Sequence, residues 1–167
     1  MALLYLDTSA ILKRYRTEKG TDVVRELYED RSISGTLVTS HFSCLEFESV
    51  AARALKGKLL TQQAYDAMLG SFSQDLGNYL RLVEMSGDII NDAIDAARKY
   101  ALRAPDAIQL ASAESRKPTI AFFVGTFVFV SSDKDLLAAA ESAGMKTLDP
   151  EAEDAMEKLR SIRTGKV

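Results

Sequence analysis

Short apolar runs alternate with amphipathic stretches along this chain, and each change of period predicts a change of element. "LLYLD", residues 3–7, reads as a short buried strand that ends on a carboxylate. "TSAILKRYRTE" follows as a helix, with Thr8 and Ser9 as candidate N-caps. "ISGTLVTS", residues 33–40, is the second predicted strand, and "SCLEFESVAARALKGKL" returns to helical spacing, with Gly57 as its C-cap. Thr61 opens a helix over "TQQAYDAMLGSFSQDL", and "YLRLVEMS", residues 79–86, is a further strand. Two helices come next, one from Asp88 over "DIINDAIDAARKYAL" and one over "LRAPDAIQLA", residues 102–111. "FVFVSSD" is a strand, "DKDLLAAAESAG" a helix stopped by Gly144, and "MKTLD" a short last strand. The residues after Pro150 read as helical at first and then frayed.

Strands that alternate with helices predict a three-layer α/β/α sandwich with a mainly parallel sheet. No repeat, linker or low-complexity segment interrupts the pattern, so residues 1–150 are expected to form a single domain, followed by a charged tail at 151–167. The chain has 167 residues, 47% of them hydrophobic and 27% charged, enough apolar material for one sizeable core. The longest apolar run, "TIAFFVGTFVFV" at 119–130, is too short to span a membrane, and its Phe and Val content predicts a buried strand. No basic flank or small-residue cleavage site marks a signal peptide. The single cysteine, Cys44, has no partner for an internal disulfide, which points to a reducing cytoplasm.

A net charge of −3 and a pI near 5.3 argue against a non-specific nucleic-acid binder. The distribution is less uniform. Lys13, Arg14 and Arg16 form one basic cluster, and Arg53, Lys56 and Lys58 form another; solvated helix faces are the plainer account of both.

The acidic residues carry the candidate chemistry. In open α/β folds, ligands bind beyond the carboxyl ends of the strands. Asp7 and Asp133 each end an apolar strand and precede a helix. Glu46 lies in the first turn of its helix, after a strand that ends at the same edge, and Glu48, two residues on, must point elsewhere. Asp106 sits in the first turn of a helix that Pro105 suits for starting. Each acid has an ordinary alternative: a favourable place at a helix N-terminus, or for Glu46 a capping box with Ser43. Together they describe carboxylates that would repel and raise one another's pKa unless a cation offsets them. Hard divalent ions such as Mg²⁺ take oxygen ligands. One His, His41, and one Cys make no zinc set, and no Walker loop, G-x-G-x-x-G or G-x-S-x-G is present.

"LLYLDTSAILKRY", the "LEF" at 45–47 before "ESVAARAL", "LRAPDAIQLASA" and "FVFVSSDKDLLAAAESAG" resemble, in order and spacing, the four motif blocks of PIN domains, and most of all the VapC-like toxins of bacterial toxin–antitoxin pairs. The resemblance runs from Leu3 to about Asp149. It implies a metal-dependent ribonuclease in which Asp7, Glu46, Asp106 and Asp133 hold Mg²⁺ or Mn²⁺. Thr8 or Ser9 takes the supporting hydroxyl position, and Asp135 assists. It also implies an RNA substrate, a cognate antitoxin and a homodimer. Lys13, Arg14, Arg53, Lys56 and Arg103 would then be candidate contacts to the RNA backbone. Two departures stand out: Pro105 occupies a place where the family often has a larger apolar residue, and the segment between Ser115 and Asp133 is longer and more aromatic.

Two other functions compete. Another Mg²⁺-dependent phosphohydrolase on a similar sheet is one, although the D-x-D pattern of such phosphatases would need an acid where Ser9 stands. A PIN-like domain that binds RNA or protein without cutting is the other.

Overall fold

The computed structural model describes residues 2–29, 37–117 and 126–164. Strand β1 (Ala2–Leu6) leads into α1 (Thr8–Leu12) and α2 (Thr21–Glu29). Strand β2 (Leu37–Ser40) is followed by α3 (His41–Lys56) and α4 (Gln62–Asn78), and β3 (Leu80–Val83) by α5 (Gly87–Tyr100) and α6 (Ala104–Glu114). Strand β4 (Thr126–Val130), α7 (Lys134–Ser142), β5 (Lys146–Leu148) and α8 (Ala155–Thr164) complete the order. The strands form one all-parallel sheet in the order β3-β2-β1-β4-β5.

The period of two in the strands splits the core into two faces. Leu4, Leu6, Leu37, Val128 and Val130 point to one side and pack with residues of α1–α4 and α8, where Phe47 and Phe72 stack at 3.8 Å between centroids. Tyr5, Val38, Val83 and Phe129 point to the other side and meet α5–α7. The three layers expected from the alternation are therefore present. The chain runs from β1 outward to β2 and β3, then returns to β4 and β5 on the opposite flank. That makes β1 the point where the strand order switches, the place at which such folds open a crevice.

Several boundaries differ from the sequence expectation for identifiable reasons. The N-cap of α1 is Asp7, whose carboxylate accepts from the Ala10 amide, so Thr8 and Ser9 lie inside the helix. The N-cap of α3 is Ser40, which accepts from Ser43, so Ser43 and Glu46 form no capping box and Glu46 lies beyond the first turn. Helix α2 was not anticipated; it buries Val23, Val24, Leu27 and Tyr28 on one face. Residues 33–36 and 119–125 of the two expected strands fall outside the described residues. Helix α8 places Ala155, Leu159 and Ile162 in the same core as β1.

Candidate functional site

Asp7 stands at the carboxyl end of β1 with 4% of its surface exposed. Its Oδ1 accepts from the Ala10 amide at 2.8 Å, and the carboxylate also accepts from Ser9. Ser131, at the end of β4, donates to Oδ2 at 2.7 Å. The pairing of Leu6 with Val130 brings these two strand ends side by side. The turns after them are stitched further, since the Ser132 amide donates to Ser9 and the Asp133 amide to Ser131. Burial pushes the Asp7 carboxyl up to about 6 despite these donors, and the negative charge of Glu46 adds to the rise. Among the described residues no basic side chain pairs with Asp7 or Glu46 to offset that charge.

Glu46 is half-buried, and Glu48 points to solvent. Thr8 donates to Glu46 Oε2 at 2.6 Å, and the Gln109 amide donates to the same oxygen at 2.7 Å. Gln109 is buried in α6, where its Nε2 also lies 3.0 Å from the hydroxyls of Thr8 and Ser43 and its Oε1 accepts from Tyr5 at 2.8 Å. Gln109 thus ties α6 to β1, α1 and α3, and with Ser131 it was missed in the sequence. The available signal was one polar residue inside the apolar "AIQLA", one helical turn after Asp106.

Asp106 and Asp133 form a second group. Asp133 is the N-cap of α7: its Oδ1 accepts from the amides of Asp135 and Leu136. Arg103, the N-cap residue of α6, spans the two acids, donating to Asp106 Oδ2 at 2.8 Å and to Asp133 Oδ2 at 3.1 Å. Burial raises the Asp106 carboxyl above its ordinary value, against the pull of Arg103. Asp135 is exposed.

The donor set suits a hard divalent cation, because every candidate ligand is a carboxylate oxygen, and Asp7 buries a negative charge that lacks a cation. The acids nonetheless stand as two pairs: among the described residues no three His, Cys, Asp or Glu side chains are grouped closely enough to hold an ion.

The PIN domain family matches residues 4–142. The chain belongs to that family. Solved structures share the fold of this PIN domain at low identity. The PAE2754 protein from Pyrobaculum aerophilum is 18% identical with a TM-score of 0.65, over 96% of this chain and 99% of that one. FitAcB from Neisseria gonorrhoeae is 17% identical with a TM-score of 0.59, over 89% and 98%. VapBC2 from Rickettsia felis, bound to a DNA fragment from its promoter, is 10% identical with a TM-score of 0.59, over 89% and 98%. Among curated proteins, none matches the chain.

The basic residues of this PIN domain separate into classes. Lys13 is buried and held by Glu151 at 2.6 Å and Glu18 at 3.4 Å, so the RNA contact expected of it has no exposed ammonium to work with. Arg14 pairs with buried Asp75 at 2.6 Å and lies over the Tyr28 ring. Both are held in ion pairs by acids other than the four candidate ligands. Arg53 and Lys56 are exposed on α3. Arg53 lines a cleft of about 370 Å³ together with Thr8, Phe42, Glu46, Ser49 and Pro105. His41 lies near Val83 and Glu84, outside the acid groups. No helix among the described residues is long and apolar enough to cross a membrane.

Proposed function

We propose that this PIN domain is a Mg²⁺- or Mn²⁺-dependent endoribonuclease, the toxin of a toxin–antitoxin pair, with a cognate antitoxin and a second copy of itself as partners. The reading is supported by the bracing of Asp7 and Glu46, which among the described residues pair with no basic side chain, and by Arg103, which joins Asp106 to Asp133. Membership of the PIN family supports nuclease chemistry. A structure of the same fold described as a toxin–antitoxin complex, from Klebsiella pneumoniae at 16% identity and a TM-score of 0.57, supports the biological role.

In this reading all four acids are metal ligands. A bound divalent ion lowers the pKa of its water and stabilises charge on the scissile phosphate. The chain's own residues do the positioning. Ser9, Ser131 and the Ala10 amide aim Asp7, and Thr8 with Gln109 fixes one oxygen of Glu46. Arg53, beside Glu46 in the cleft, is placed to meet the RNA backbone.

The test is cleavage of a mixed RNA pool with Mn²⁺, with Mg²⁺ and with EDTA, alongside Asp7→Asn and Asp106→Asn. Metal-dependent cleavage lost in both variants is expected, and full activity in either variant would refute the assignment. A phosphate monoester run in parallel separates the phosphatase alternative, whose D-x-D pattern would need an acid where Ser9 stands.

A further inference from the structure

We propose that Arg103 is a built-in cation of this site, holding Asp106 and Asp133 in the metal-free protein and competing with the divalent ion for them. The inference rests on the metal-site reading above and adds its regulation. Three observations carry it. First, one guanidinium reaches two acids from different helices, through Nε to Asp106 and Nη2 to Asp133. Second, the oxygens are unequal: Asp133 Oδ1 is committed to capping α7, so Oδ2 is the oxygen free for a ligand, and Arg103 occupies it. Third, the guanidinium is free to leave. Its side chain is 75% exposed and makes no capping bond to α6, while its backbone is anchored by the left-handed Ala101 and the start of the helix.

The two pairs of acids therefore differ in kind. Among the described residues Asp7 and Glu46 pair with no basic side chain, whereas Asp106 and Asp133 share one that can be displaced. An exposed ion pair is a weak competitor, so its removal should tighten metal binding modestly, on the order of five-fold. Once displaced, Arg103 remains tethered one turn before Asp106, and its planar fork is suited to a phosphate at the rim. A single side chain then serves as counter-ion before loading and as substrate contact after it.

Calorimetric titration of the full chain with Mn²⁺, in the wild type, Arg103→Gln and Arg103→Lys, decides the matter. Lysine keeps the charge but lacks the fork that spans two carboxylates. Tighter binding in both variants, or heat seen only in the variants, supports the proposal. An Arg103→Lys protein that binds like the wild type overturns it, whatever Arg103→Gln does, because a through-space charge effect would then suffice. No heat in any of the three proteins overturns the metal site itself and this proposal with it. Normal wild-type binding with unchanged variants overturns only the role of Arg103.

Discussion

Ser131 and Asp7, 124 residues apart, meet at 2.7 Å where β4 and β1 end side by side. The Ser131 hydroxyl is buried, and its bond is one of the few forces that hold the Asp7 carboxylate in its charged form. Ser131→Ala removes a donor from a buried charge, which costs about 1–3 kcal/mol. It also moves the Asp7 carboxyl further up. The expected result is a lower denaturation midpoint, together with an acid limb of RNA cleavage displaced to higher pH. A loss of rate with no displacement of that limb would mean that Ser131 only braces the turn.

Asp7 gives the protein a stability that depends on pH in a defined direction. Its carboxyl titrates near 6 when folded, against an ordinary value of 3.8. Below the lower value both states are protonated and the burial of Asp7 imposes no penalty. Between the two values the unfolded chain releases the proton while the folded chain keeps it, so this contribution to stability falls as pH rises. Above about 6 the full penalty applies, on the order of 3 kcal/mol. Asp7→Asn should flatten this slope and leave the metal-free protein more stable than the wild type at pH 7.5. Urea unfolding of both proteins at pH 4 and pH 7.5 checks it, and equal slopes would show that Asp7 is not the group responsible.

The layers and the acids were legible in the sequence because both depend on local pattern. A continuous apolar strand with an Asp just past its end, followed by helical spacing, marks Asp7 and Asp133 without any tertiary information. Which residue caps a helix was less legible: Asp7, Thr8 and Ser9 are all competent, and the geometry of the turn selects Asp7. Lys13 looked like surface because its partner, Glu151, lies 138 residues away. Gln109 and Ser131 were missed because their partners are equally distant in sequence, although a lone polar residue inside "AIQLA" was a signal for Gln109. A buried polar group is tolerated only by its bonding partners, and those of Gln109 come from β1, α1 and α3.

Gln109 is the residue on which several of those bonds converge. Gln109→Met keeps most of the volume and removes both ends of the amide. Tyr5 then loses its acceptor, and Glu46 loses one of its two donors. Stranding buried polar groups costs about 1–3 kcal/mol each, so a loss of about 2–4 kcal/mol is expected from denaturant unfolding. Cleavage should fall by at least about ten-fold even below the unfolding transition, since a site loosened by about 1 Å aims its ligands poorly. Wild-type rates in the folded variant would place Gln109 outside the site's support.

The C-terminal residues test where the folding unit ends. Composition alone marks 151–167 as a charged tail, yet Leu159 and Ile162 are buried against the core that contains β1. Arg163 pairs with Glu26 of α2 at 2.8 Å, and Glu151 pairs with Lys13. The segment just before is fitted closely to the N-terminal turn. Gly20 has φ +84, and a Cβ there would lie 2.7 Å from the Pro150 carbonyl oxygen. Burial of Leu159 and Ile162 contributes about 3–6 kcal/mol together, a large share of the roughly 5–15 kcal/mol that holds a domain folded. Truncation after Pro150 should therefore lower the thermal midpoint sharply or give insoluble protein. Gly20→Ala should destabilise by more than about 1 kcal/mol through strain and the clash with Pro150. A truncated chain with an unchanged midpoint would show that the domain ends at Pro150 and that α8 is an accessory to it.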